Sequence, residues 1–198
     1  MSSSAPCDNA PGARSAKVRL RELALEHVGV DEASVLDAFC GSGQMFDAVW
    51  KRAANYAGCD ERAWDFTGPP RFVCDNVTLL RSIDLATFNV FDLDAYGSPW
   101  KAAAVIAARR GWRSGECGAL VLTDGSSMRT RFGGKTSGMS IARGASGIVA
   151  SDEAERAALA SWVSRSHVRP VAIHRAQGNG SGRGGQRMTY TALLFEGQ

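Results

Sequence analysis

The sequence predicts an α/β fold in which a seven-stranded, mostly parallel sheet with an antiparallel C-terminal strand carries helices on both faces. Three observations predict it. From residue 34 onward, short apolar runs alternate with helical stretches, the pattern of parallel strands wound by crossover helices. The first four runs each end near an acidic residue, at Asp37, Asp60, Asp75 and Asp94. The last two runs are joined by the glycine-rich stretch 177–187, which leaves no room for a helix, so they are expected to pair antiparallel.

Residues 1–16, rich in Ser, Ala, Pro and Gly without apolar periodicity, are expected to be a disordered tail ahead of a single domain, 17–198. From Lys17 to His27 the apolar positions follow helical spacing, which predicts a lead-in helix. Strands are read at Ser34–Phe39, Tyr56–Asp60, Phe72–Asp75, Phe88–Asp94, Gly118–Asp124, Val171–Arg175 and Thr189–Glu196. Helices are read at Gln44–Asn55, Glu61–Phe66, Val77–Ser82, Pro99–Arg110 and Asp152–Ser166, the last with Asp152 as its N-cap and acids in its first turn.

The net charge is only +3, but it is unevenly distributed. Residues 1–124 hold 13 Lys+Arg against 16 Asp+Glu, a balance of −3, and residues 125–198 hold 10 against 4, a balance of +6. A basic C-terminal third suits a polyanion, although a solvated arginine surface gives the same excess. Five cysteines without a Cys-x-x-Cys pair read as free thiols in a reducing compartment. No apolar stretch approaches the roughly 20 residues of a membrane span. The first residues lack the basic and apolar regions of a signal peptide, and a cytoplasmic address is expected. His27, His167 and His174 have no ligand spacing, so no metal site is expected.

The segment Asp37-Ala38-Phe39-Cys40-Gly41-Ser42-Gly43 places an acid at a strand end and a glycine turn ahead of a helix. Glycines allow positive φ and close approach of a ligand to the main chain, and the helix start offers free N–H groups to an anion. Asp60 stands about 20 residues further on, at the next strand end, where a carboxylate can accept both hydroxyls of a ribose. Asp75 and Asn76 follow at the third. For any one of these acids, helix capping is the competing reading; three at successive strand ends favour a ligand site.

This arrangement resembles the first motif of the class I S-adenosylmethionine-dependent methyltransferases, and the resemblance extends over nearly the whole chain. It implies a Rossmann-like methyltransferase sheet with the seventh strand inserted between the fifth and sixth, and S-adenosylmethionine as cofactor. It assigns Asp37, Phe39, Gly41, Gly43, Asp60, Asp75 and Asn76 to the donor site, with Asp37 facing the methionine ammonium and Asp75 the adenine amine. A dinucleotide is the competing ligand, but its Gly-x-Gly-x-x-Gly fingerprint fails at Phe46, whose bulk opposes the helix packing that a third glycine permits.

The stretch Phe91-Asp92-Leu93-Asp94-Ala95-Tyr96-Gly97-Ser98-Pro99 is similar to the strand-four motif of the tRNA guanine-N2 dimethyltransferase family, Asp-x-Asp-Pro-Tyr/Phe-Gly-Ser-Pro. Ala95 stands where that family has proline, its N-terminal Asn-Arg-Asp segment is not recognisable, and its large C-terminal domain is absent. An aromatic exocyclic amine is a poor nucleophile because its lone pair is delocalised. The resemblance implies that Asp94 accepts an N–H and localises that pair, that Tyr96 stacks on the base, and that Asp92 orients the loop or contacts the donor, with Pro99 in the same catalytic set. The competing reading makes Asp94 a helix cap and Tyr96 a core aromatic. Methylation at a pyrimidine carbon needs a thiolate, and neither 94–99 nor 123–127 contains a cysteine.

Between the fifth strand and the last helix, Arg129, Arg131, Lys135 and Arg143 are expected to neutralise phosphates, joined by Arg183 and Arg187 from the hairpin; a solvated loop is the competing reading. The expected partner is RNA, with tRNA favoured, or DNA, and a partner protein could present the substrate. A small-molecule or protein methyltransferase, and a domain that binds the donor without turnover, remain the other readings.

Overall fold

In a computed structural model, which describes residues 11–66, 68–95, 97–125, 151–179 and 187–198, seven strands form one sheet. They are β1 (Ser34–Asp37), β2 (Asn55–Asp60), β3 (Arg71–Val73), β4 (Val90–Leu93), β5 (Cys117–Asp124), β6 (Val168–Asn179) and β7 (Arg187–Gly197), in the order β3-β2-β1-β4-β5-β7-β6. The first five are parallel. β7 pairs antiparallel with both β5 and β6, as the short glycine-rich connection requires. The order reverses between β1 and β4, and in open α/β sheets ligands bind at such a switch point, beyond the carboxyl ends of the strands.

Each strand sends alternate side chains to opposite faces. On one face Leu36, Phe91, Leu93, Leu120, Leu122, Leu193 and Phe195 pack against α3 (Asn76–Ser82), α4 (Trp100–Arg109) and α5 (Ser151–Ser166), through Leu79, Leu80, Trp100, Ile106, Leu159 and Trp162. On the other face Val35, Val90, Ala119, Val121, Ala192 and Leu194 meet α1 (Pro11–Val28), through Leu20, Ala24 and Leu25, and the short α2 (Gln44–Ala48). Helices therefore cover both faces. None of the described helices is long and apolar enough to cross a membrane.

Several boundaries differ from expectation. α1 begins at Pro11, not Lys17, and Ala13 is buried against the sheet; proline suits the first turn of a helix, where its missing N–H has no partner to lose. Residues 11–16 thus belong to the folded unit, while residues 1–10 of the expected tail lie outside the described residues. The helix expected over Gln44–Asn55 stops at Ala48 and is followed by a 3₁₀ turn, Trp50–Arg52. Val49 leaves the helical region there (φ −134°), and Trp50 turns into the core. No helix forms over Glu61–Phe66. The Asp60 carboxylate accepts the Arg62 N–H at 2.9 Å and the Trp64 indole N–H at 2.9 Å, a local bond that competes with helix formation. α5 starts at Ser151, placing Asp152 inside its first turn rather than at its cap.

Candidate functional site

Asp37, Asp92 and Asp94 sit at the tips of β1 and β4, on the face that α1 covers. A buried carboxylate needs a partner, and α1 supplies two cations. Arg21, 1% exposed, forks onto Asp92, Nε to Oδ2 at 2.6 Å and Nη2 to Oδ1 at 2.7 Å, and its Nη2 lies 3.3 Å from Asp94. Lys17, one turn earlier on the same helix face, reaches both oxygens of Asp94 at 2.9 and 3.1 Å. The Trp50 indole N–H completes the shell of Asp92 at 2.7 Å.

Asp37 is 2% exposed. It accepts the Tyr56 hydroxyl at 3.1 Å and the Phe39 N–H at 3.2 Å. Burial first, and then the neighbouring Asp92 carboxylate, push its carboxyl well above the usual range against the pull of Arg21. Burial also lifts Asp92, but a guanidinium has only donors, so the forked geometry requires a carboxylate there. At Asp94 burial acts upward and Arg21 and Lys17 together outweigh it, leaving the group below the ordinary carboxylate value. Among the described residues the cluster thus holds three acids against two cations, and burial favours the protonated form at Asp37.

The glycine turn adjoins this cluster. Gly41 (φ +51°) and Gly43 (φ +83°) both adopt the left-handed region. The space beside Gly41 is open, whereas a β-carbon on Gly43 would collide with the Phe66 ring. Phe66 also meets Phe46 edge-on at 5.8 Å and lies under the Arg71 guanidinium at 5.2 Å. Asp60, half-buried at the β2 tip, accepts the Gly41 N–H at 3.0 Å. Gly43→Ala is expected to cost about 2 kcal/mol or more, and Gly41→Ala about 1 kcal/mol, because both incur left-handed strain but only the first must displace a ring. Thermal melting compares the two; equal losses would mean that the Phe66 contact carries no energy.

The remaining expected site residues divide. Phe39 is partly buried against the helical core. Asp75 is exposed and caps α3, accepting the Thr78 N–H at 2.7 Å and its hydroxyl at 2.8 Å; the Thr78 N–H bond above all holds its carboxyl below the ordinary value. Asp75 thus caps α3, and Asn76 is the first residue of that helix. Asp92 is fully buried; it holds Arg21 and Trp50 and repels the neighbouring Asp37 and Asp94 carboxylates. Pro99 is buried at the N-cap position of α4, so it sets the helix start. The turn between β4 and α4 is fastened to β5: the Gly125 N–H donates to the Gly97 carbonyl at 2.9 Å and the Trp100 indole to Asp124 at 2.7 Å. Tyr96, Arg129, Arg131, Lys135, Arg143 and Arg183 lie outside the described residues. Arg187 is placed by its backbone at the start of β7, opposite Asn179.

Sequence reasoning missed Lys17, Arg21, Trp50 and Tyr56. One signal was available for Arg21: it interrupts the apolar run of α1 between Leu20 and Ala24, and a charge on a buried face implies a partner. Among the described residues the cysteines are free thiols, with Cys40 and Cys59 buried and Cys74 and Cys117 partly so. Burial, followed by Asp37 and Asp60, pushes the Cys40 thiol up to about 12. A thiol in that state is no nucleophile.

No protein-family model and no curated protein sequence matches the chain. Solved structures do. The chain aligns over 96% of its length with 78% of M. jannaschii TYW2, solved in complex with AdoMet, at TM-score 0.58 and 9% identity. All of it aligns with 58% of Trm1 from Pyrococcus horikoshii, solved with S-adenosyl-L-methionine, at TM-score 0.58 and 14% identity. It aligns over 99% of its length with 92% of the 1,6-didemethyltoxoflavin-N1-methyltransferase of Burkholderia thailandensis, at TM-score 0.50 and 15% identity. The chain shares its fold with these three solved structures.

Proposed function

We propose that the chain is an S-adenosylmethionine-dependent methyltransferase that acts on an exocyclic base nitrogen of RNA, with guanine N2 of tRNA as the favoured acceptor. The charge imbalance at the strand tips supports the donor reading most directly. Among the described residues Asp37, Asp92 and Asp94 face two cations, Arg21 and Lys17, and a ligand ammonium at Asp37 supplies a third. The glycine turn fits the same ligand, because the space beside Gly41 is open and Asp60 ends the adjacent strand as the acceptor for ribose hydroxyls. Phe66, lying over Gly43, forms one wall of that cradle.

Proton linkage tests the donor site. An ammonium bound to Asp37 requires the carboxylate, whereas burial favours the protonated form there, so binding is linked to release of a proton. Affinity for S-adenosylhomocysteine is expected to rise about tenfold per pH unit below the Asp37 titration and to level off above it. Calorimetry across pH checks this; Asp37→Asn should flatten the profile, and a flat profile in the unaltered chain would remove Asp37 from the site.

When bound, S-adenosylmethionine supplies a methyl group on a sulfonium centre. The chain's task is to align the acceptor nitrogen. Asp94 is 16% exposed, and after Lys17 and Arg21 are satisfied its oxygens retain lone-pair capacity for one N–H of an amine. Held below the ordinary carboxylate value, it is a weak base. It therefore orients the amine and balances the positive charge that develops on nitrogen, accepting a proton only after the methyl has moved. Tyr96 is assigned to stacking on the base, and Arg129, Arg131, Lys135, Arg143, Arg183 and Arg187 to the phosphates.

The deciding experiment incubates labelled donor in parallel with total tRNA, ribosomal RNA, genomic DNA and cell extract, followed by nucleoside analysis. Label in N2-methylated guanosine from tRNA is the expected result. Label confined to DNA, protein or small molecules would overturn the acceptor assignment while keeping the donor site. RNA retention that does not weaken between low and moderate salt would overturn the phosphate assignment.

A further inference from the structure

We propose that Lys17 is a positioning residue of the transfer step, fixing the Asp94 carboxylate in its ionised form at the mouth of the site. The inference rests on the methyl-transfer reading above, and it comes from how α1 divides its two cations. Arg21 spends its fork on Asp92, at 2.6 and 2.7 Å, and keeps only a 3.3 Å contact with Asp94. Lys17 engages both oxygens of Asp94, at 2.9 and 3.1 Å. Its ammonium also stands over the Tyr190 ring, 5.7 Å from the centroid, so β7 limits its movement from the other side.

Burial separates the two roles. The Arg21 and Asp92 side chains are 1% and 0% exposed, whereas Lys17 and Asp94 are 13% and 16% exposed. Only the second pair lies where an acceptor amine can reach the carboxylate. The groups that face Asp94 are Lys17 and Arg21 from α1, Asp92 from β4, Asp37 from β1 and Thr123 from β5. With the Asp92 carboxylate and Asp37 on that side, Lys17 decides whether a negative charge on Asp94 is tolerated. Without it, Asp94 takes up a proton more readily, turns a hydrogen toward the amine, and loses the lone pair that orients it.

The test uses Lys17→Met and Lys17→Arg in the full chain, with tRNA and S-adenosylmethionine. Single-turnover transfer is followed against pH, and the Asp94 carboxyl is titrated by carbon NMR without donor. In Lys17→Met the Asp94 titration and the acid limb of the rate profile are both expected to move to higher pH, and Lys17→Arg is expected to restore both. An acid limb that stays in place while the rate falls would indicate a merely structural contact and overturn the proposal. So would an Asp94 titration unmoved in Lys17→Met. Absence of transfer in the unaltered chain, with the titration still shifted, would remove the acceptor assignment and leave the Lys17–Asp94 linkage standing.

Discussion

Arg21→Met is expected to lower stability by about 3–5 kcal/mol, the loss that follows when one partner of a buried ion pair is removed. For a chain of this size that is a fall of roughly 10 °C in melting temperature. The size of the effect comes from what remains behind. Asp92, fully buried in β4, would keep the Trp50 indole as its nearest donor and would have to take up a proton to stay folded. A hydrophobic replacement of both partners tests the same physics from the other side. Because desolvation offsets most of the Coulombic gain of a buried pair, Arg21→Met combined with Asp92→Leu is expected to recover most of the loss. A single variant that melts within about 2 °C of the unaltered chain would show that the α1–β4 ion pair contributes nothing to the fold.

The same pair marks what the sequence hides. β1, β4 and β5 are legible because Val35 to Asp37, Val90 to Leu93 and Ala119 to Leu122 carry their apolar pattern locally, and the glycine-rich joint before β7 excludes a helix. The Arg21–Asp92 contact joins residues 71 positions apart, and no local pattern reports such a pairing. The misplaced helix at Glu61–Phe66 fails for a related reason. Its composition permits a helix, but Asp60, Trp64 and Arg71 bind the segment back onto Gly41 and one another. At Asp75 the ambiguity is chemical. A carboxylate at a strand end suits a ligand and a helix N-cap equally, and the Thr78 contacts that make the cap appear only in the fold. Asp37 and Asp60 stand at the expected strand tips because strand ends and glycine turns are local features. The upward pull on the Asp37 carboxyl follows from burial, which one strand cannot reveal.

Asp94→Ala is expected to slow transfer by on the order of 10²-fold or more. The substitution removes the group that orients the amine and balances the charge developing on nitrogen. It also releases Lys17, whose ammonium would then stand near the acceptor without a counterion and oppose that positive charge. Both changes act at the transition state, so the loss is expected in kcat, while KM for tRNA stays close to its original value because phosphate contacts dominate RNA affinity. Asp94→Asn separates the two contributions. The amide oxygen still accepts an N–H but carries no charge, so a variant nearer to the unaltered chain than Asp94→Ala would assign the larger share to orientation, and one equal to Asp94→Ala would assign it to charge. Thermal melting accompanies both, since Arg21 keeps its fork on Asp92 in either variant and the fold should hold. Full transfer activity in Asp94→Ala would sink the role, and with it the reason for the Lys17 contact.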